Sequence, residues 1–262
     1  MTIDPEVLGY YEQGGEASRL RGGVGRLEFW RTQDVLRRVL PPAPARVLDI
    51  GGGTGVHAEW LAADGHEVEL IDPVPLHVAQ AERLEGVTAR LGDARDLPVP
   101  DASADAAVLL GPLYHLTERY DRVRALAEAR RAVRPGGVVA AAFISRFAAL
   151  HDGVARGFAL RPEHLAAEYH AADTGLMVSP REGGFRGFFH DPGEILGEFA
   201  DAGLGEPARY GLEGAFWLYG DIDVWLDDDG RRELLLDAAR RLESEPSLLG
   251  VSGHLLAVAT RG

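Results

Sequence analysis

VLDIGGGTG (residues 47–55) sets a short apolar run directly against four glycines in five positions. A continuous apolar strand suits a sheet buried on both faces, and a glycine turn with helical pattern resuming near Glu59–Ala63 suits a strand-to-helix junction. Glycine also lets a backbone turn tightly and lets another group come close. Gly51, Gly53 and Gly55 read as GxGxG, with Val56 where the dinucleotide-binding pattern GxGxxG carries its third glycine. Alone, the loop is equally a tight turn with no ligand.

Working outward, strands and helices alternate. ARVLDI (45–50), HEVELI (66–71), GVTARL (86–91), ADAAVLL (104–110) and VVAAAFI (138–144) read as strands. Helices are expected near 59–63, 76–84 and 118–133, the last ending at Arg134-Pro135-Gly136-Gly137. That rhythm predicts a doubly wound, Rossmann-like α/β sheet. Before it, Asp4-Pro5-Glu6 marks a helix start, glycines 14, 15, 22, 23 and 25 form a hinge, and Leu27–Leu40 has helical apolar spacing. Residues 146–190 break the alternation and hold four of nine histidines, so an insertion over the sheet's edge is expected. Asp191-Pro192-Gly193-Glu194 is a capping box opening a helix to Ala202. ARYGLEGAFWL and GHLLAVAT, flanking a helical segment 221–243, supply a last pair of strands. The expected partition is a helical lid (1–43), a ligand-binding core (44–145), an inserted cap (146–190) and a completion of the sheet (191–262).

Composition narrows the partners. The 262 residues carry 27 Lys and Arg against 41 Asp and Glu, a formal charge of −14, so a phosphate backbone is repelled and nucleic acid is not expected as a partner. Without cysteine there is no disulfide, thiolate nucleophile or Cys-based metal site. MTIDPEVLGY carries acid where a secretory signal carries base, and the apolar run 138–144 is too short for a bilayer, so a cytoplasmic protein without membrane attachment is expected.

Two further strand ends bear on a ligand. Asp72, 21 positions beyond Gly51, closes the second strand where the ribose hydroxyls of an adenosine ligand would need acceptors. Gly92-Asp93-Ala94 ends the third strand, with Asp93 near the expected adenine and Ala94 offering an amide. Each acid also has a plain reading as a turn residue, Asp72 with Pro73 and Asp93 with Gly92.

Together, VLDIGGGTG, VELIDP, GDARDLP and the run ending in RPGG resemble the first-, second-, third- and fifth-strand motifs of class I S-adenosylmethionine (SAM) dependent methyltransferases. YYEQGGEASRL, LEFWRT, GPLYHL and FFHDP extend the likeness to a bacterial small-molecule branch of unassigned substrate. The resemblance implies a seven-stranded sheet of order 3-2-1-4-5-7-6 with strand 7 antiparallel, and SAM as cofactor. It implies that Gly51, Gly52 and Gly53 lie under the methionine part of SAM, that Asp72, with Pro73, binds ribose, and that Gly92, Asp93 and Ala94 hold adenine. Asp49 corresponds to the structural acid that orders the loop.

The fourth strand ends in Leu110-Gly111-Pro112-Leu113-Tyr114-His115, which the resemblance puts facing the transferred methyl group. Tyr114 is the candidate for orienting an acceptor. His115 is the first candidate base, since imidazole titrates near neutrality, although it is also readable as a ring stacked on adenine. His190, ahead of the capping box, is the second candidate base, expected at the mouth of the cap; its alternative is a packing residue at the helix entry. Arg19 and Arg31 are candidates for the SAM carboxylate, and Tyr10 and Tyr11 for a closing lid. His164 and Glu168 share a helical face without further ligands, and Asp227-Asp228-Asp229 reads as a solvated turn, so no metal site is expected. The reading is methyl transfer to an O or N of a small molecule. The alternatives are an NAD-linked oxidoreductase and a non-methylating SAM-binding protein.

Overall fold

The computed structural model describes Leu20 and residues 22–262. Its main sheet contains β1 (Arg46–Ile50), β2 (Glu67–Asp72), β3 (Val87–Leu91), β4 (Ala104–Leu109), β5 (Val133–Ile144), β8 (Ala208–Gly211) and β9 (His254–Thr260). A separate hairpin is formed by β6 (Leu176–Val178) and β7 (Arg186–Phe188). The sheet order is β3-β2-β1-β4-β5-β9-β8, with β1 to β5 parallel and β9 antiparallel to both its neighbours. With β8 and β9 as the sixth and seventh strands of this sheet, this is the 3-2-1-4-5-7-6 order expected.

The apolar runs work because successive side chains enter opposite cores. Leu48, Ile50 and Leu109 pack against α5 (Arg119–Ala132) and α8 (Pro192–Asp201) through Leu126, Ala129, Ile195 and Phe199. Val47, Ala106 and Val108 face α1 (Val24–Val39), α2 (Val56–Ala63) and α3 (Pro75–Ala81) through Val35, Leu36, Leu61 and Ala81. Each large aliphatic or aromatic side chain buried this way stabilises the fold by about 1.5–3 kcal/mol. The helix preceding the sheet is thus part of its core, packed through Val35 and Leu36.

β5 begins earlier than the expected 138. Val133 already pairs with Ala104, and the register shifts before Val138 pairs with Ala106. Arg134–Gly137 is therefore an irregularity within the strand, where Gly136 has φ +80° and a Cβ on Gly137 would stand 2.5 Å from the Asp105 carbonyl oxygen.

The insertion is anchored at the carboxyl end of β5 and reaches residues 112–115, which follow β4. It contains α6 (Ala148–Arg156) and α7 (Pro162–Thr174) ahead of the β6–β7 hairpin. It leaves and returns at one point: His190 N–H donates to the Ile144 carbonyl at 2.8 Å and Arg146 N–H to the His190 carbonyl at 2.9 Å. β7 then lies against the short α4 (Pro112–His115), so closely that a Cβ on Gly187 would be 2.5 Å from the Tyr114 carbonyl oxygen. The capping box on α8 is present, with Gly193 N–H donating to Asp191 and Asp191 N–H to Glu194. The helical segment 221–243 forms α9 (Ile222–Asp227) and α10 (Asp229–Leu242), and Asp228 of the triple acid caps α10. Among the described residues no helix is long and apolar enough to cross a membrane.

Candidate active site

The glycine loop joins β1 to α2, and its four glycines have different neighbours. A Cβ on Gly51 would meet the Pro112 ring at 2.9 Å, one on Gly52 would meet Asp49 Oδ2 at 2.5 Å, and one on Gly55 would meet Leu84 at 2.5 Å. Protein crowds those three. Gly53, at φ +58°, has no atom of the described residues within 4 Å of such a Cβ. Room for a ligand at this loop is therefore at Gly53. Gly55, at φ +92°, caps α2 and supplies the close helix packing assigned to the third glycine of GxGxxG, so Val56 is free to begin the helix.

Asp72 fastens this loop to the next one. Its Oδ2 accepts from Gly53 N–H at 2.9 Å, and its Oδ1 accepts from Val74 N–H at 2.9 Å and lies 3.0 Å from His77 Nδ1. Oδ2 has a second lone pair for a hydroxyl donor. Beneath the loop, Asp49 is wholly buried, and among the described residues neither of its oxygens has a partner in good hydrogen-bonding geometry, the Ala58 amide being the polar group that acts on it. Burial, with some repulsion from Asp72, pushes its carboxyl up to about 7, and the Ala58 amide pulls back only in part.

At the end of β3, burial alone would raise the Asp93 carboxyl, but the Arg95 guanidinium holds it below its ordinary value. Arg95 Nε donates to Oδ1 at 2.9 Å and Nη2 to Oδ2 at 2.6 Å, while Nη1 reaches Asp121 at 2.8 Å. Arg95 thus takes up part of the acceptor capacity that Asp93 offers a base. Gly92 is crowded by Ile71 at 2.5 Å, and Ala94 packs partly buried on the core.

At the end of β4, Leu110 and Gly111 lead into α4, whose Pro112 sits at its first position and presses on Gly51. A Cβ on Gly111 would lie 3.4 Å from the Gly51 carbonyl oxygen and 3.5 Å from Tyr114 Oη. Gly51, Gly111 and the tyrosine hydroxyl therefore converge on one spot between β1 and β4. Tyr114 Oη also lies 3.5 Å from the Leu110 carbonyl oxygen. Its ring is 4.8 Å from the half-buried His115, and the His115 ring is 5.5 Å from Phe185 of the insertion. Phe185 continues through Phe189 at 5.9 Å into an apolar cluster with Met177, Ile144 and Trp217.

Two candidates lie elsewhere. Arg31 is fully buried with its guanidinium committed: Nε donates to the Leu212 carbonyl at 2.9 Å, and the two terminal nitrogens pair with Asp34 and Glu243. It ties α1 to the carboxy-terminal part and is not available for a cofactor carboxylate. His190 is not at a cap mouth but fully buried between the rings of Phe143 (4.7 Å) and Phe188 (4.8 Å), with Nε2 3.3 Å from Glu198 Oε2. Burial holds its pKa below the ordinary histidine value despite Glu198. Glu198 also takes two hydrogen bonds from Arg122 Nε and Nη2 at 2.9 and 2.8 Å. His190 thus belongs to a buried ion-pair network. Tyr10, Tyr11 and Arg19 lie outside the described residues.

Sequence reasoning missed His77, Arg95, Phe185 and the Arg122–Glu198 pair. A signal existed for Arg31: Leu27, Arg31 and Val35 share one helical face, all three buried. Arg95 follows Asp93 by two positions, a spacing open to a local side-chain pair.

Residues 47–137 match a family described as a methyltransferase domain. An uncharacterized methyltransferase of Mycobacterium tuberculosis is 42% identical over 101 residues, 38% of this chain and 40% of that one. The chain thus spans about two fifths of the length of the first curated relatives it matches. A protein of Mycolicibacterium smegmatis named "Probable S-adenosylmethionine-dependent methyltransferase" is 30% identical over 194 residues, 72% of this chain and 70% of that one. The crystal structure of an S-adenosylmethionine-dependent methyltransferase from Mesorhizobium loti shares the fold at a TM-score of 0.58 with 18% identity, covering 90% of this chain and 100% of that one.

Proposed function

The chain belongs to the S-adenosylmethionine-dependent methyltransferase family, and on that premise we propose that it transfers a methyl group to an oxygen or nitrogen of a small molecule. The observation that carries the reading is the convergence of Gly53's open flank, Asp72 bound to the Gly53 amide, and the Gly51–Gly111–Tyr114 contact on one side of the sheet. An elongated ligand with an amino-acid end and a ribose fits these groups. SAM, when bound, supplies a methyl group on a positively charged sulfur.

The protein's residues have separate tasks in this reading. The backbone at Gly53 accommodates the amino-acid end, and Asp72 Oδ2 accepts from a ribose hydroxyl. Gly92, Asp93 and Ala94 bound the adenine. Pro73 shapes the turn beside the ribose, and Leu110 and Gly111 line the approach toward Tyr114. Tyr114 orients the acceptor, and His115 takes the proton that an O–H or N–H acceptor must lose. Orientation supplies much of the rate, so few catalytic side chains are needed. The aromatic wall from His115 through Phe185 and Phe189 suits an acceptor with an apolar body.

Calorimetry with SAM, its demethylated product and NAD, followed by capture of radiolabelled methyl groups in small-molecule fractions, tests the proposal. The expected result is binding of the first two but not NAD, and label on a heteroatom. NAD binding without a response to SAM overturns it. SAM binding without turnover on any acceptor fraction favours a non-methylating protein, and label on carbon overturns the O or N assignment.

A further inference from the structure

Three distant segments meet at the carboxyl end of the sheet, beside β5. Glu28 comes from α1, Glu213 follows β8, and His254 opens β9, paired with Ile144. One donor atom from each lies within 4.8 Å of the others. We propose that Glu28, Glu213 and His254 bind one divalent transition-metal ion of the zinc type.

The distances suit such an ion. His254 Nδ1 is 2.6 Å from Glu213 Oε1 and 3.6 Å from Glu28 Oε2. Metal bonds of about 2.0–2.2 Å put neighbouring ligand atoms about 3–3.5 Å apart, so the ion replaces the His254–Glu213 hydrogen bond and widens that contact by about 0.4–0.9 Å, while Glu28 already stands near the required distance from Nδ1. The ring proton then resides on Nε2, with Nδ1 as the ligand.

The deepest ligand is fixed from behind. Glu213 is 2% exposed, and its Oε2 accepts from Ser252 Oγ at 2.8 Å and from His254 N–H at 2.9 Å, which leaves Oε1 aimed at the imidazole. Hydrogen bonds of this kind orient metal ligands and keep them in place. The Glu28 and His254 side chains keep 13% and 21% of their surface exposed, so the ion has a route in and a side for water or another ligand. Two carboxylates and one imidazole nitrogen as donors suit a dication, and the nitrogen donor favours zinc-type ions over magnesium or calcium.

The site is separate from the glycine loop. A Cβ on Gly253 would lie 3.4 Å from the Trp217 ring and 3.5 Å from Glu213 Oε1, so the cluster borders the apolar wall that reaches His115 at its other end. The ion therefore sits on the acceptor side of the sheet. The inference stands on these three side chains and not on the methyl-transfer reading.

The test uses the full chain, stripped with a chelator and titrated without SAM, by calorimetry with Zn²⁺ and by the visible spectrum with Co²⁺. One ion per chain is expected, with affinity reduced at least about tenfold in Glu28→Gln and in His254→Gln, and no comparable uptake of Mg²⁺. Glu28→Gln is nearly isosteric at a partly buried position and serves if substitution of His254 disturbs folding, as circular dichroism will show. No saturable uptake, or uptake of equal affinity in the Glu28→Gln protein, overturns the proposal.

Discussion

The two sides of the sheet's carboxyl end are held by different bonds. Around β1, β2 and β3, carboxylates meet backbone amides 2 to 19 positions away: Asp72 with the amides of Gly53 and Val74, Asp93 with that of Arg95. Around β5 and β9, charged side chains pair across long stretches of chain, as in Arg122 with Glu198 and Arg31 with Glu243. The first arrangement leaves polar groups beside the space at Gly53. The second encloses its charges and uses them to lock helices to the sheet. A titratable residue on the β5 side is therefore more readily structural than one on the β1 side, and His190 is an example.

The largest effect is expected where that locking is broken. Glu198→Ala leaves Arg122 and His190 buried without their carboxylate and should cost about 3–5 kcal/mol in urea unfolding. A loss below about 1 kcal/mol, the range of exposed pairs, would erase the contrast between the two sides.

The next prediction separates the histidines. His115→Ala should lower kcat at least about a hundredfold with the native acceptor, the scale of general acid–base catalysis. His190→Gln should lower the unfolding temperature while leaving kcat of the folded protein within about twofold, because a fully buried ring does not reach an acceptor. The reverse pattern would return the catalytic role to the β5 side.

A smaller effect concerns Asp49. Its folded pKa of about 7 lies above the unfolded value of about 3.9, so the folded chain holds a proton that the unfolded chain releases. Its contribution is fully present below about pH 4, declines as pH rises to about 7, and is flat above. Asp49→Asn should flatten that part of the stability profile, read as urea midpoints at about pH 5 and about pH 8. An unchanged slope would mean that another group sets it.

The contrast also explains what was legible in the sequence. The strands and the β1 loop follow from apolar runs, glycine spacing and acids at strand ends, all read within a few tens of residues. Even there, the reason for the glycines was not visible: Pro112 and Leu84, which crowd Gly51 and Gly55, come from the start of α4 and the turn after α3. The Arg134–Gly137 stretch reads as a turn because Pro-Gly-Gly usually breaks structure, whereas pairing of Val133 with Ala104 carries the strand through it. His190 looked exposed because helix entries generally are, yet its backbone bonds to Ile144 and Arg146 draw it into the core. The Glu28–Glu213–His254 group was illegible for the same reason, since only the folded sheet brings residues 28, 213 and 254 together.

Gly53 tests the central claim most directly, because among the loop's glycines it is the one whose flank no described residue fills. Gly53→Ala places a methyl group there at a backbone cost of about 1–2 kcal/mol for the left-handed conformation. Calorimetric titration with SAM, on protein whose unfolding has been checked, should show affinity lowered at least about tenfold while the fold persists. Unchanged SAM affinity in a folded Gly53→Ala protein would contradict the assignment of this loop to the cofactor.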